Sequence, residues 1–123
     1  MARILIIEDT PTNMMLFVDV LGLAGHATLQ ARRAEAGIEI ALREPLDLIL
    51  MDIQLPGMDG MAATAILKAN PQTKDIPVIA LTASAMKGDR ERILAAGCDG
   101  YIEKPISYRD FLSDIEAMIK RKG

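Results

Sequence analysis

The sequence predicts an α/β domain in which five parallel strands are covered by five helices. Three observations carry that prediction. Short runs such as Ile4-Leu5-Ile6-Ile7, Leu48-Ile49-Leu50-Met51 and Val78-Ile79-Ala80-Leu81 are apolar throughout, which suits strands buried on both faces. Segments with apolar residues at helical spacing lie between them, and this alternation implies right-handed crossovers with helices on both sheet faces. The runs also stop at chemically able residues: Glu8-Asp9, Asp52, Thr82 and, after Tyr101-Ile102-Glu103, Lys104-Pro105. Parallel strands bring their C-terminal ends to one edge, where open α/β sheets bind ligands.

Each element has a local reason. After the first strand, Thr10-Pro11 reads as a helix start, a capping hydroxyl followed by Pro at the first helical position. Met14, Phe17, Val18 and Leu21 then recur at helical spacing, and Gly22 or Gly25 closes the helix. Ala27 to Ala31 alternates weakly and reads as a shorter edge strand; Ala34 to Arg43 is a helix ended by Pro45. Leu46 to Asp52 is the third strand. In the loop Leu55-Pro56-Gly57-Met58-Asp59-Gly60, Asp59 is placed to cap a helix running through Ala69. Asn70-Pro71 breaks it, and Ile76 to Thr82 is the fourth strand. Met86 to Ala96 is a helix ended by Gly97, and Gly100 to Glu103 a short fifth strand. Ser107 caps the last helix, whose Phe111, Leu112, Ile115, Met118 and Ile119 form an apolar stripe.

Composition narrows the function. At 123 residues and 50% hydrophobic, the chain suits one domain with a full core, expected to span 1–123. Only 3% is aromatic, so that core is aliphatic. A net charge of -3 and the lack of a basic stripe argue against direct nucleic-acid binding. Lys120-Arg121-Lys122 reads as a favourable set of charges at a helix C-terminus. The single Cys98 excludes an internal disulfide and reads as a small buried hydrophobe. His26, beside Gly25, reads as a solvated loop residue. The first strand starts too early for a signal peptide. No apolar stretch approaches the ~20 residues that cross a bilayer, so a cytoplasmic domain without membrane insertion is expected.

Glu8, Asp9 and Asp52 pose an electrostatic problem if they share an edge. Two carboxylates ~4 Å apart repel by about 1 kcal/mol in water and about 4 kcal/mol at the effective dielectric near a protein surface. A third acid worsens this. The cluster needs a bound cation, a proton or a neighbouring positive charge, unless the three are ordinary strand-end acids in solvent. An all-oxygen site with few protein ligands suits Mg²⁺, which keeps part of its hydration and also binds phosphate oxygens. Mn²⁺ is the alternative ion, and Lys104 can supply positive charge without a metal.

These residues resemble the receiver domain of bacterial two-component response regulators. The matching pieces are Glu8-Asp9, Met51-Asp52-Ile53-Gln54-Leu55-Pro56-Gly57-Met58-Asp59-Gly60, Leu81-Thr82-Ala83 and Lys104-Pro105. The resemblance implies a flavodoxin-like sheet of order 2-1-3-4-5. It implies that Asp52 accepts a phosphoryl group from a histidine kinase or phosphotransfer protein, and that the domain is a phosphoacceptor assisting its own phosphorylation and dephosphorylation, not an enzyme. Asp9, Asp52 and the Gln54 backbone carbonyl would hold Mg²⁺, with Glu8 acting through water. Lys104 would pair with phosphoryl oxygens, Thr82 would turn towards the new group, and Tyr101 matches the switch aromatic. The Lys104-Pro105 bond is similar to one usually cis in the family. Leu55 stands where Met is frequent, and Gln54 and Ser84 lie where the family varies in ways linked to phosphate lifetime.

The last helix runs to the chain terminus, so no effector domain is expected to follow it, and output is expected through a downstream protein target. The expected surface comprises Met86, Lys87, Arg90, Tyr101, Ile106 and Tyr108, although Met86 and Ile106 also suit core positions. The run Ala85 to Arg92, Gly97-Cys98 and Lys104 to Ser107 is similar to single-domain alphaproteobacterial cell-cycle regulators; receivers cut from hybrid kinases look similar. A haloacid-dehalogenase-type phosphatase would need a second Asp where Gln54 stands, and a cap segment. A flavodoxin would need glycine in the Thr10-Pro11-Thr12-Asn13 loop and aromatics around the flavin. A module that is never phosphorylated remains the third alternative.

Overall fold

The computed structural model describes residues 1–122, with side chains to residue 120. The elements are β1 (Arg3–Ile7), α1 (Pro11–Leu23), β2 (Ala27–Ala31), α2 (Ala34–Arg43), β3 (Leu48–Asp52), α3 (Gly60–Ala69), β4 (Val78–Thr82), α4 (Lys87–Ala95), β5 (Gly100–Glu103) and α5 (Tyr108–Lys122). The strands form one parallel sheet in the order β2-β1-β3-β4-β5. Ile7 lies opposite Met51 and Asp52 opposite Leu81, so β1, β3 and β4 end along one edge.

Alternation along the strands divides the core in two. Leu5, Ile7, Ile49, Met51, Val78 and Ala80 pack with Ala34, Ala41, Ala63, Leu67 and Ile93 from α2, α3 and α4. Ile4, Ile6, Leu48, Leu50, Ile79 and Leu81 pack with Met14, Phe17 and Leu21 of α1 and with Phe111 and Ile115 of α5. Phe17 and Phe111 stack with ring centroids 5.1 Å apart, tying those two helices together. Fully burying an Ile or Leu side chain contributes about 1.5–3 kcal/mol relative to exposure. Strands apolar on both faces collect that term twice, so the sheet is the rigid base on which the edge residues stand.

Several boundaries move inward for identifiable reasons. β4 starts at Val78 because Pro77 has no N–H to give the ladder, although its carbonyl accepts from Ile49 N–H. β3 starts at Leu48, preceded by Asp47, whose carboxylate accepts the Arg3 N–H at 2.8 Å. β2 is an edge strand as expected, but with five residues it is as long as β1. α4 lacks Met86 and Ala96, which flank it as caps. Gly25 and Gly97 take φ of +88° and +106° just past α1 and α4, a region that side chains disfavour.

Two expectations are corrected. Thr10 occupies the N-cap of α1, but its hydroxyl makes no capping bond; Pro11 already removes one donor from the first turn. His26 is not solvated, since its side chain is only 10% exposed. Its Nδ1 accepts the Ala2 N–H at 3.1 Å and its Nε2 lies 3.4 Å from Glu116 of α5. The ring joins the start of β1 to α5. Cys98 is buried as expected, and burial raises its thiol pKa. In the terminal basic cluster Lys120 is exposed, while the side chains of Arg121 and Lys122 lie outside the described residues.

Candidate functional site

Strand ends aim the acids at one point. The Glu8 N–H donates to the Ala31 carbonyl at 3.0 Å, which extends the β1–β2 ladder and keeps the Glu8 side chain fully buried. Asp9, one residue on, is exposed. Asp52 is the last residue of β3 and 3% exposed. One carboxylate oxygen from each of the three lies within 4.8 Å of the others.

Asp52 is held on both oxygens. Its Oδ1 accepts the Gln54 N–H at 2.9 Å and its Oδ2 accepts from Lys104 Nζ at 3.1 Å. Lys104 follows β5, its N–H donates to the Thr82 carbonyl at 2.7 Å, and its bond to Pro105 is cis. The same Nζ lies 3.9 Å from Glu8 Oε1. Glu8 Oε2 accepts the Thr10 N–H at 3.0 Å, but Oε1 is buried with no hydrogen-bond partner. Burial, reinforced by Asp52, pushes the Glu8 pKa up to about 7 against the lowering pull of the Thr10 N–H and Lys104.

That orphaned oxygen is the test of fit for a cation. Three carboxylates face one ammonium, so charge is uncompensated while all are ionised, and an unsatisfied buried acceptor adds a cost of about 1–3 kcal/mol. Hard oxygen donors gathered at a half-open edge fit Mg²⁺ or a similar divalent ion.

Two details set the start of α3 behind Asp52. Asp59 caps α3 as expected, its Oδ1 accepting from the Ala62 N–H at 2.8 Å. A Cβ on Gly60 would stand 2.3 Å from the Asp52 carbonyl oxygen and 2.9 Å from Ile53 Cα. Only glycine lets α3 start this close to β3. By residue type Gly60 reads as part of a loop, because a steric demand for hydrogen carries no chemical group to notice.

Thr82 ends β4 on the same edge and is 6% exposed. Its hydroxyl, however, is tied locally: Oγ1 donates to the Ser84 carbonyl at 2.8 Å and accepts the Ser84 N–H at 3.2 Å. The acids and Lys104 therefore meet directly, while Thr82 stands beside them with its hydroxyl engaged. Tyr101 is half-buried against the α2–α3–α4 side of the core. Of the expected surface residues, Lys87, Arg90 and Tyr108 are exposed and Ile106 is half-buried. Met86 is 74% exposed, so the core reading fails for it.

Residues 4–116 match the family described as the response regulator receiver domain. The chain belongs to that family. It is 44% identical over 116 residues to the polar-differentiation response regulator DivK of Brucella anthropi, covering 94% of each chain. DivK of Brucella ovis is equally similar. Among solved structures it resembles the receiver domain of sensor histidine kinase PA1611 from Pseudomonas aeruginosa PAO1, a structure with magnesium coordinated in its active-site cleft. That match has a TM-score of 0.89 and 34% identity, covering 97% of this chain and 98% of the other. The Francisella response regulator 1452 receiver domain shares the fold, with a TM-score of 0.93 over all of both chains at 23% identity. The chain is thus a receiver domain of the two-component phosphorelay type, with the implied strand order. Among the described residues no helix is long and apolar enough to cross a membrane.

Proposed function

We propose that Asp52 takes a phosphoryl group from a phosphohistidine on a histidine kinase or phosphotransfer protein, and that the modified domain changes its binding to a downstream protein. The carrying observation is the Asp52 carboxylate at a strand end, with Lys104 at 3.1 Å and two further acids within 4.8 Å. An Asp52 oxygen attacks phosphorus in line, and the P–N bond breaks with its electron pair leaving on the imidazole. Phosphoryl transfer asks mainly for positioning and charge stabilisation. The Gln54 N–H orients the nucleophile, and Lys104 follows the charge from the carboxylate to the transferring oxygens.

Asp9, Asp52 and the Gln54 carbonyl would hold Mg²⁺ or Mn²⁺, with Glu8 acting through water. Bound there, the ion supplies positive charge for the phosphoryl oxygens. The magnesium in the cleft of the Pseudomonas relative supports this assignment.

The added group brings negative charge and strong acceptors. Thr82 turns to it, and Tyr101 repacks in response. Met86, Arg90, Tyr101, Ile106 and Tyr108 form the surface read by the target. The domain acts as a single unit over 1–123, accepts one group per chain and assists its own dephosphorylation rather than turning over a separate substrate. The Brucella names support a place in polar differentiation. A cytoplasmic location accords with a phosphohistidine donor.

Acetyl phosphate with Mg²⁺ is expected to add one phosphoryl group by intact mass to the wild type and none to Asp52→Asn. Mg²⁺ is expected to raise the melting temperature of the wild type and hardly that of Asp9→Ala, since a ligand of the folded state stabilises it. An unmodified wild-type mass under conditions that load another receiver overturns the proposal.

A further inference from the structure

Thr82 is restrained by residues that the proposed chemistry does not use. Both of its hydroxyl's bonds go to the backbone of Ser84, at 2.8 and 3.2 Å. Ser84 is itself held from α4, its Oγ donating to Asp89 Oδ2 at 2.7 Å. A hydroxyl-to-carboxylate bond of this length is of the strong, charge-assisted kind. Asp89 sits in the first turn of α4, and its other oxygen lies 3.6 Å from Arg92. Little else fastens that helix. Ile93 is its one buried residue, and the N-cap Met86 provides no side-chain capping bond. The neighbouring ties are longer: the Ala85 N–H to Glu103 at 3.2 Å and the Met86 N–H to Ser84 Oγ at 3.4 Å.

We infer that Asp89 is a positioning residue for the switch: through Ser84 it holds the Thr82 hydroxyl on the β4–α4 loop and couples Thr82 to the N-terminus of α4. This rests on the reading that Thr82 must reach a group on Asp52. Thr82 cannot turn to that group while bonded to Ser84. A displaced Ser84 strains or breaks its bond to Asp89, so the start of α4 is released in the same step. The latch belongs to the unphosphorylated state alone, and such an interaction shifts a two-state balance by its difference between states.

The test uses the full chain with isotope-labelled threonine methyls in wild type, Asp89→Ala, Ser84→Ala and the double variant. Glu91→Ala, an exposed acid on the same helix, controls for lost charge. Before any phosphodonor is added, Asp89→Ala and Ser84→Ala are expected to move the Thr82 methyl resonance towards its position in the phosphorylated wild type. Each lowers the acetyl phosphate needed for half-loading by about three- to tenfold, the scale of one net hydrogen bond. The double variant goes no further than either single one, Glu91→Ala matches wild type, and Mg²⁺ affinity is equal throughout. An unmoved Thr82 resonance in Asp89→Ala, or additive effects in the double variant, overturns the inference. If the wild type takes no phosphoryl group, the Asp52 reading fails, while Thr82 resonances in the unmodified variants still decide the latch by their displacement.

Discussion

Helices α3 and α4 each follow a strand that ends in a site residue, Asp52 for β3 and Thr82 for β4, yet they are attached in opposite ways. α3 has a side-chain cap from Asp59 and buries Gly60, Ala63, Thr64 and Leu67. The Thr64 hydroxyl bonds back to the Gly60 carbonyl at 2.8 Å, and Lys68 Nζ reaches the Ile76 carbonyl and Asp99. α4 has no side-chain cap, buries Ile93 alone and exposes Leu94, with Met86 exposed at its N-cap. The strand that ends in Asp52 is thus braced by packed backbone. The hydroxyl's strand is joined to its helix by a few polar bonds. Chemistry that depends on in-line geometry gains from the first arrangement, and a signal that must move an element gains from the second.

Ile93→Ala tests the contrast most severely. Truncating a buried Ile costs about 3 kcal/mol, and here the loss should fall on α4 alone. Amide exchange is expected to accelerate along α4 with Mg²⁺ affinity preserved. A weakened metal site in that variant would mean that the two helices are not independent.

Gly60→Ala should cost about 2 kcal/mol, in the usual range for overpacking. Its obstacle is backbone, so β3 must shift. Calorimetry should show Mg²⁺ affinity and acetyl phosphate loading falling with stability. By contrast, the nearest obstacle to a Cβ in Gly37→Ala is the Ile7 side chain, so that variant should lose stability with less effect on the metal. Equal Mg²⁺ losses in both would remove the special role of Gly60.

Gly88→Ala, in the first turn of α4 with nothing within 4 Å of an added Cβ, should stabilise by about 0.5–1 kcal/mol through helix propensity. Thermal unfolding reads this directly, and destabilisation would show that α4 is more crowded than its contacts indicate.

An effect of similar size is expected on pH dependence. Glu8 is raised in the folded protein from 4.5 to about 7, so between these values the folded state binds more protons than the unfolded one. Metal-free stability should therefore fall as pH rises, by about 0.7 kcal/mol across one unit centred on neutrality. Saturating Mg²⁺ should flatten the slope. A metal-free slope that survives unchanged in Glu8→Gln would assign it to another group.

Much of the fold was legible because hydrophobic pattern reports burial. Runs apolar on both faces announced the parallel sheet, and the Asp59 cap followed from its place before a periodic segment. The acids and Lys104 were legible as reactive types at strand ends. The rest was hidden for physical reasons. His26 looked solvated beside Gly25, but a turn's residue type does not reveal that α5 will cover it. Thr10 looked like a cap, yet a side chain's bonding depends on a rotamer. Met86 suits both surface and core by spacing, and only the placement of α4 decides for the surface.

Residue identity and order therefore determined which elements form, which faces they bury and which functional groups stand at the strand ends, since these follow from local propensity and periodicity. Tertiary packing alone decided that Glu8 keeps an oxygen without a hydrogen-bond partner, that α3 presses against Asp52 at Gly60, and that Asp89 reaches Ser84. Each depends on distances between segments far apart in the chain or on side-chain directions, and local pattern contains neither.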